Sequence, residues 1–195
     1  MMRIISGTKK GMNLFTPKSR VSRPITDRVK ESLFSVLYKY DLPEGAIAAD
    51  LFSGVGSMGL ESLSRGAKFV TFVDRDWGIV KILKQNIEKA GFVEQSKVVK
   101  ASAFNVELEI APEGEKCDLV FVDPPYVKSI KNEPGSPLAE LLVSLGDKIS
   151  VRGLVVVRTS DEVVILDNYG KLNVVERRTW GTMNVCFLRG EVLDQ

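Results

Sequence analysis

Three glycines, Gly54, Gly56 and Gly59, lie in a G-x-G-x-x-G spacing within the stretch "DLFSGVGSMGLE". This spacing holds dinucleotide pyrophosphates at a helix N-terminus, and the same kind of loop holds S-adenosylmethionine. Asp50 precedes the loop, where a carboxylate would repel a dianionic pyrophosphate but accept the ammonium of S-adenosylmethionine. Asp74 ends the next apolar run, where it can bind the ribose hydroxyls of either cofactor. The loop therefore predicts a nucleoside cofactor that approaches most closely at Gly56, with helix or turn capping as the alternative role of both acids.

The stretch "FVDPPY", at the end of a later apolar run, offers a second kind of chemistry. Because its prolines lack N–H donors and stiffen the backbone, the Asp123 carboxylate and the Pro124 carbonyl become fixed acceptors beside the ring of Tyr126. Such acceptors suit the exocyclic amine of a nucleobase that stacks on Tyr126, a contact worth about 1 to 3 kcal/mol. Holding this poor nucleophile in line with a methyl group favours methyl transfer. We therefore predict that Asp123, Pro124 and Tyr126 are catalytic, and a purely structural turn is the alternative.

The composition excludes several other kinds of chemistry. The chain of 195 residues contains no histidine, which rules out Ser-His and Cys-His nucleophilic catalysis. Cys117 and Cys186 lie in apolar runs and are predicted to be buried, reduced thiols, and no metal site is predicted. Neither a signal peptide nor a membrane span is recognisable, so we expect a cytoplasmic protein that does not bind a membrane.

Positive charge is concentrated in the first 30 residues, which hold eight of the basic residues and a single acid, although the whole chain carries only +2. Lys and Arg side chains release counterions when they bind a polyanion, so this stretch predicts an arm that contacts nucleic-acid phosphates. A solvated basic tail without function is the alternative. The residues predicted to bind RNA are Lys9, Lys10, Arg20, Arg23, Thr26 and Arg28, with Arg177, Arg178 and Trp180 as a second contact.

The hydrophobic pattern indicates the elements that position these residues. Residues 3–16 predict a small β-hairpin, and "RPITDRVKESLFSVLYKY" predicts an amphipathic helix capped by Thr26 or Asp27. From Ala46 onward, predicted strands alternate with helices, one of which begins at Pro137, and the tail predicts two strands around "RTWGT". This order predicts an α/β fold with a mostly parallel sheet that ends in an antiparallel hairpin, typical of Rossmann-like class I S-adenosylmethionine-dependent methyltransferases.

The chain resembles the bacterial RsmD family, the 16S ribosomal RNA guanine-N(2) methyltransferases. The stretches that carry the resemblance are "RIISGTKKG", "RPITDRVKESLF", "DLFSGVGSMGLESLSRGA", "FVDPPY" and "WGTMNVCFL". The resemblance implies methyl transfer from S-adenosylmethionine to the exocyclic amine of one guanine in 16S ribosomal RNA, with S-adenosylhomocysteine as the product. We expect a monomer that acts on an assembling small ribosomal subunit. Residues 1–40 would form a basic, RNA-binding extension and residues 41–195 the methyltransferase domain.

The resemblance also implies which residues form the sites. Asp123, Pro124 and Tyr126 would hold the target base. The residues that would bind the cofactor are Asp50, Phe52, Gly54, Gly56, Gly59, Asp74, Arg75, Ser102, Ala103, Phe104 and Asp123.

Four residues at three places in the chain depart from the pattern of the family. Asp74 replaces the usual Glu at the end of the second strand, and Ser102 stands where many methyltransferases place an Asp near the adenine amine. Arg158 and Thr159 occupy the end of the fifth strand, where the family often has an acid. These departures affect the expected adenine contacts and the detail of substrate binding, while the predicted reaction stays the same.

Three other functions compete with this interpretation. A DNA adenine or cytosine amino-methyltransferase would share the "DPPY" chemistry, but it generally needs a separate target-recognition region for which 195 residues leave little room. An RNA-binding module with a vestigial cofactor fold would not require intact glycines together with Asp123 and Tyr126. A nicotinamide dehydrogenase would leave "DPPY" without a task.

Overall fold

The computed structural model describes residues 2–17, 25–125 and 133–190. Within these residues the chain forms four α-helices, α1 (Asp27–Leu37), α2 (Ser57–Ser64), α3 (Trp77–Ala90) and α4 (Pro137–Lys148). It also forms eight strands, β1 (Ile47–Leu51), β2 (Phe69–Asp74), β3 (Ser96–Lys100), β4 (Cys117–Val122), β5 (Ile149–Ser160), β6 (Asn168–Tyr169), β7 (Leu172–Trp180) and β8 (Met183–Gly190). Short 3-10 turns span Gly7–Lys9, Tyr38–Tyr40 and Val93–Gln95.

All eight strands belong to one sheet in the order β3-β2-β1-β4-β5-β8-β7-β6. The first five strands of this order pair in parallel, whereas β8 runs antiparallel to both β5 and β7. The predicted α/β fold with a closing antiparallel hairpin is therefore confirmed. The strand order reverses between β1 and β4. In open α/β sheets, ligands bind in the crevice at the carboxyl ends of the two strands at such a point.

Apolar side chains cover both faces of the sheet. One core contains side chains of α1, α2 and α3, and the opposite core packs α4 against the sheet. Ile4 and Leu14 are buried in the first core, so the N-terminal segment packs onto the same face of the sheet as α2, the helix that follows the glycine loop. Cys117 and Cys186 are free and buried, as predicted. In the described part of the chain, no helix is long and apolar enough to cross a membrane.

The predicted N-terminal hairpin is reduced to a single antiparallel bridge between Arg3 and Asn13. The backbone N–H groups of Ile5 and Ser6 donate to the carboxylate of Glu61 at 2.8 and 3.0 Å instead of extending a strand ladder. The predicted small hairpin is therefore present in a minimal form, in which the Ile4 N–H donates to the Met12 carbonyl and the Leu14 N–H to the Met2 carbonyl, both at 2.9 Å, while its two segments do not form regular strands.

Local signals explain where the helices begin and end. Thr26, one of the two predicted caps, accepts a hydrogen bond from the Val29 N–H at 3.3 Å at the start of α1. Ser136 caps α4, whose first residue is Pro137, as predicted. Gly91 ends α3 with a φ of +73°, a conformation that glycine adopts without a steric penalty. The short strand β6 was missed because two residues carry too little alternation to be recognised.

Candidate active site

Three predicted site acids end neighbouring parallel strands. Asp50 lies in β1, Asp74 is the last residue of β2, and Asp123 follows β4 directly. The structure thus brings together at one sheet edge residues that lie up to 73 positions apart in the chain. The charges of Asp74 and Asp123 both act on Asp50, so the three carboxylates lie near one another at the strand ends where a ligand of this fold would bind.

The glycine loop that follows β1 is held by two of these acids. The Gly54 N–H donates to Asp74 Oδ2 at 2.9 Å, and the Gly59 N–H donates to Asp50 Oδ2 at 2.8 Å. Asp74 Oδ1 also accepts the Asp76 N–H at 2.9 Å. Both acids therefore accept backbone N–H groups of the loop and of α2, which is the capping role that the sequence analysis gave as the alternative to ligand binding. Each carboxylate oxygen can accept a second hydrogen bond, so capping leaves ligand binding possible.

The three glycines of the motif have different surroundings. At Gly54, with φ +54°, a Cβ would meet no atom within 4 Å. At Gly56 a Cβ would lie 2.6 Å from Leu83 Cδ1, and at Gly59 it would lie 2.2 Å from the ring of Phe72. A side chain added at Gly56 would therefore meet the core, whereas one added at Gly54 would enter open space, and the closest approach of a ligand at Gly56 stays a prediction.

Burial changes the charge state of Asp50. Desolvation raises the pKa of its carboxyl to about 8, the charges of Asp123 and Asp74 add to the rise, and the hydrogen bond from Gly59 opposes it. At neutral pH the carboxyl is then mostly protonated until a cation arrives nearby. The argument that a permanent charge on Asp50 repels a pyrophosphate is weakened, whereas its preference for an ammonium remains.

Asp123 forms a two-point ion pair with Arg158 of β5. Arg158 Nε donates to Asp123 Oδ1 at 2.6 Å, and Nη2 donates to Oδ2. Burial raises the pKa of Asp123, and the charge and hydrogen bonds of Arg158 oppose the rise. From the sequence, Arg158 was noted only as a departure from the family pattern. Pro124 is buried beside this pair, whereas Tyr126 lies outside the described residues.

An aromatic pair lies next to the carboxyl end of β1, because Phe52 directly follows that strand. The rings of Phe52 and Phe104 meet edge to face with centroids 4.9 Å apart, and Phe52 has a φ of +62°. The Ser102 hydroxyl accepts the Phe104 N–H at 3.3 Å, and Ala103 is buried. This group could form one wall for the adenine ring of a nucleoside, while Arg75 is exposed after β2.

The predicted RNA-binding residues of the N-terminus are dispersed. Lys9 lies over the ring of Phe92, with 5.7 Å between Nζ and the centroid. Phe92 follows α3, which leads from the carboxyl end of β2 to the amino end of β3. The Lys9–Lys10 turn therefore lies at the amino ends of the parallel strands, whereas Asp123 lies at their carboxyl ends. Arg28 is exposed on the first turn of α1, next to the cap Thr26. Arg20 and Arg23 lie outside the described residues.

The terminal hairpin does not present its three predicted residues on one surface. Arg177 donates to Asp167 Oδ1 at 2.6 Å and to the sulfur of Cys186, on the face that packs against α4. Arg178 is bonded to Glu176 at 2.7 Å on the opposite face, where Trp180 packs at the edge of the α1 core. Only Arg178 and Trp180 thus share the sheet face that carries Asp123 and Arg158.

Asn86 of α3 is a connection that the sequence analysis missed. Its fully buried side chain accepts the Phe15 N–H at 2.7 Å and donates to the carbonyls of Phe15 and Val55 at 3.1 and 3.0 Å. One amide thus ties the segment that leads into the basic residues 18–23 to the glycine loop. An Asn among apolar residues at helical spacing was the only signal available.

Comparisons with known proteins give the family of the chain. Residues 2–189 match the family model described as Conserved hypothetical protein 95. A Haemophilus influenzae protein named Ribosomal RNA small subunit methyltransferase D is 36% identical over 71% of this chain and 71% of its own. The Bacillus subtilis protein YlbH, provisionally named an rRNA methyltransferase, is 30% identical over 96% of this chain and 98% of its own.

A solved structure supports the same relationship. The structure of a hypothetical protein from Thermus thermophilus is 27% identical, has a TM-score of 0.76, and covers 98% of this chain and 100% of that one. Sequence and fold therefore agree over nearly the whole length. The chain belongs to the Conserved hypothetical protein 95 family, the family of the small-subunit ribosomal RNA methyltransferase D proteins.

Proposed function

We propose that this protein transfers a methyl group from S-adenosylmethionine to the exocyclic N2 amine of a guanine in 16S ribosomal RNA. Membership of the family supports ribosomal RNA methylation with this cofactor, and no observation favours the DNA alternative. The observation that carries the proposal is the placement of Asp123 beside Asp50 and the glycine loop at one sheet edge. A nucleobase amine and a methyl donor can react only where their sites adjoin in this way.

The cofactor side of the crevice suits S-adenosylmethionine in charge and polarity. The buried hydroxyls of Ser53 and Ser57 have no hydrogen-bond partner in the described part of the chain, so they are available to a polar ligand. Asp50 offers an acid to an ammonium, and Gly54 leaves open space beside the loop. When bound, this cofactor supplies an electrophilic methyl group on its sulfonium. The Phe52 ring would pack against its nucleoside.

On the substrate side, this chain's residues orient the amine. The Asp123 carboxylate and the Pro124 carbonyl would accept the two N–H bonds of the guanine amine, so that the nitrogen lone pair faces the cofactor side of the crevice. Tyr126 would stack on the base. Because the crevice lies at a sheet edge, the guanine must leave its stack to reach it, as other base-modifying enzymes require.

Ribosomal RNA would approach over the face shared by α1 and the hairpin. Arg28, Arg178 and Trp180 lie on that face of the described structure, and Arg20 and Arg23 precede α1 in the chain. Lys9 and Lys10 would reach only RNA that extends to the opposite edge of the sheet. The expected substrate is an assembling small subunit, bound by a monomer of this protein.

The test is methylation of small-subunit RNA in vitro. Particles and naked 16S RNA from cells that lack the gene would be incubated with the protein and methyl-labelled S-adenosylmethionine, then digested and mapped by mass. We expect one N2-methylguanine with wild type and none with Asp123→Ala, which should still bind S-adenosylhomocysteine in calorimetry. Label on adenine or on DNA would contradict the substrate, and saturable NAD binding without a response to S-adenosylhomocysteine would contradict the cofactor.

A further inference from the structure

We propose that Arg158 is a positioning residue that holds Asp123 as an ionised, oriented hydrogen-bond acceptor, so that Asp123 aligns the target amine but does not take its proton. This inference rests on the proposed function and deepens it, because it assigns separate roles to Asp123, which binds the target amine, and to Arg158, which orients Asp123. It concerns a residue at which this chain departs from the family pattern that its sequence otherwise follows.

The strand register places the two side chains together. Val122 of β4 is paired with Val157 of β5, so Asp123 and Arg158 are the next neighbours across the two strands. Arg158 uses two nitrogens on two different oxygens of one carboxylate, the planar arrangement in which a guanidinium fixes direction as well as charge. The carboxylate of Asp123 therefore cannot rotate without breaking a hydrogen bond.

Arg158 supplies positive charge at a place where acids gather. Asp50 on β1 lies near enough that the charges of Asp123 and of Asp74 on β2 both raise its pKa. On the other side of β5, Arg158 is paired with the apolar Val185 of β8, and Val185 is paired with Arg178 of β7. Arg178 is bonded to Glu176. Arg158 is the cation that contacts Asp123 among the described residues, and without it burial would favour the protonated acid.

The pairing also decides what Asp123 can do in the reaction. The two hydrogen bonds from the guanidinium lower the proton affinity of the Asp123 carboxylate and so oppose the effect of burial, while each oxygen keeps a second acceptor position. In the transfer, the bond from N2 to the methyl carbon forms as the bond from sulfur to that carbon breaks, which leaves a positive charge on N2. The N2 proton then passes to solvent water, and the negative Asp123 stabilises the developing charge without accepting that proton.

The pH dependence of single-turnover methylation separates this role from a structural one. In Arg158→Gln we expect the rate at pH 7 to fall about a hundredfold and to recover partly toward pH 9, because Asp123 then ionises only at higher pH. Arg158→Lys keeps the charge but loses the two-point geometry, so we expect a wild-type pH profile with a rate about tenfold lower. Arg152→Gln, an exposed arginine of the same strand, is the matched control and should change nothing.

A second readout does not depend on catalysis. Carbon-13 NMR of labelled aspartate should show a higher pKa for Asp123 in Arg158→Gln than in wild type, while the affinity for S-adenosylhomocysteine stays within about threefold of wild type. A wild-type rate in Arg158→Gln, or a reduced rate with an unchanged pH profile and an unchanged Asp123 pKa, would overturn the proposal. If wild type methylates no guanine, the proposed function fails, and the NMR comparison still reports whether Arg158 keeps Asp123 ionised.

Discussion

Two charged clusters of this molecule differ in how much of their hydrogen-bonding capacity the chain itself uses. Glu61 of α2 accepts the N–H groups of Ile5 and Ser6 and the Nε of Arg65, and it lies 3.4 Å from Nζ of Lys30. The Lys30 and Glu61 side chains are 1% and 0% exposed. The chain's own donors fill this cluster completely, so its role is to hold the N-terminal segment on α2.

The second cluster is the pair Asp123–Arg158 at the sheet edge. Its side chains are 23% and 12% exposed, and the Asp123 carboxylate accepts from a single described side chain. Each oxygen of this carboxylate can accept a further hydrogen bond, so Asp123 retains capacity for a substrate at the strand ends where ligands bind in this fold. Glu61 and Asp123 therefore differ in how many of their acceptor positions the described part of the chain fills, and the open positions of Asp123 are the ones we propose for a ligand.

The largest expected effect is on stability, at the saturated cluster. Glu61→Gln leaves Lys30 and Arg65 buried beside a neutral amide, and breaking a buried pair in this way costs about 3 to 5 kcal/mol. Urea denaturation would measure the loss in the free energy of unfolding. The matched control is Glu115→Gln, which removes a pair with Lys68 whose side chains are 43% and 62% exposed, and which should cost less than about 1 kcal/mol. Equal losses for the two variants would contradict the conclusion that the buried Glu61 cluster stabilises the fold more than an exposed ion pair does.

The next effect is a pH dependence of stability caused by Asp50. Its pKa is about 8 in the folded protein and 3.8 in the unfolded chain, so unfolding releases a proton between these values. The free energy of unfolding without ligand should therefore fall as pH rises through this range, by up to about 1.4 kcal/mol per pH unit. Asp50→Asn keeps an oxygen that can accept the Gly59 N–H and removes this slope.

Thermal melts of the two proteins between pH 5 and pH 8 would measure the difference. Wild type should lose stability relative to Asp50→Asn with rising pH, and S-adenosylmethionine should restore wild type more than the variant, because its ammonium favours the ionised acid. Parallel curves for the two proteins would show that Asp50 does not titrate in this range.

A smaller effect separates the glycines of the loop. Gly56→Ala places a Cβ 2.6 Å from a Leu83 methyl group at a φ of +90°, so we expect a loss of about 1 to 3 kcal/mol in folding stability. Gly54→Ala meets no neighbour and costs about 1 kcal/mol for its left-handed backbone. Calorimetry with S-adenosylhomocysteine should show the larger loss of affinity at Gly54. A normal affinity for Gly54→Ala would place the cofactor away from this side of the loop.

The sequence predicted the features that depend on nearby residues. Helix caps such as Ser136, the glycine loop and the alternation of strands and helices are local, and they were sufficient to predict the fold class and the position of Asp50, Asp74 and Asp123 at the ends of strands. The pair Asp123–Arg158 depends on the register of two strands 35 residues apart, and the Asn86 contact with Phe15 spans 71 residues. No periodicity encodes such distances. The opposite faces of Arg177 and Arg178 follow from the two-residue period of a strand and could have been predicted.

The smallest expected effect is on RNA affinity and tests which face of the hairpin meets the substrate. Arg178 shares the face of Asp123, whereas Arg177 is bonded to Asp167 and Cys186 on the face of α4. Arg178→Gln should weaken binding of small-subunit RNA uniformly across sequences and reduce the slope of its salt dependence by about one, because one phosphate contact is lost. Arg177→Gln, the same change one residue away, should leave both unchanged. Filter binding over a range of salt concentrations measures the slopes, and a greater loss for Arg177→Gln would place the RNA on the α4 face, away from the Asp123–Arg158 pair.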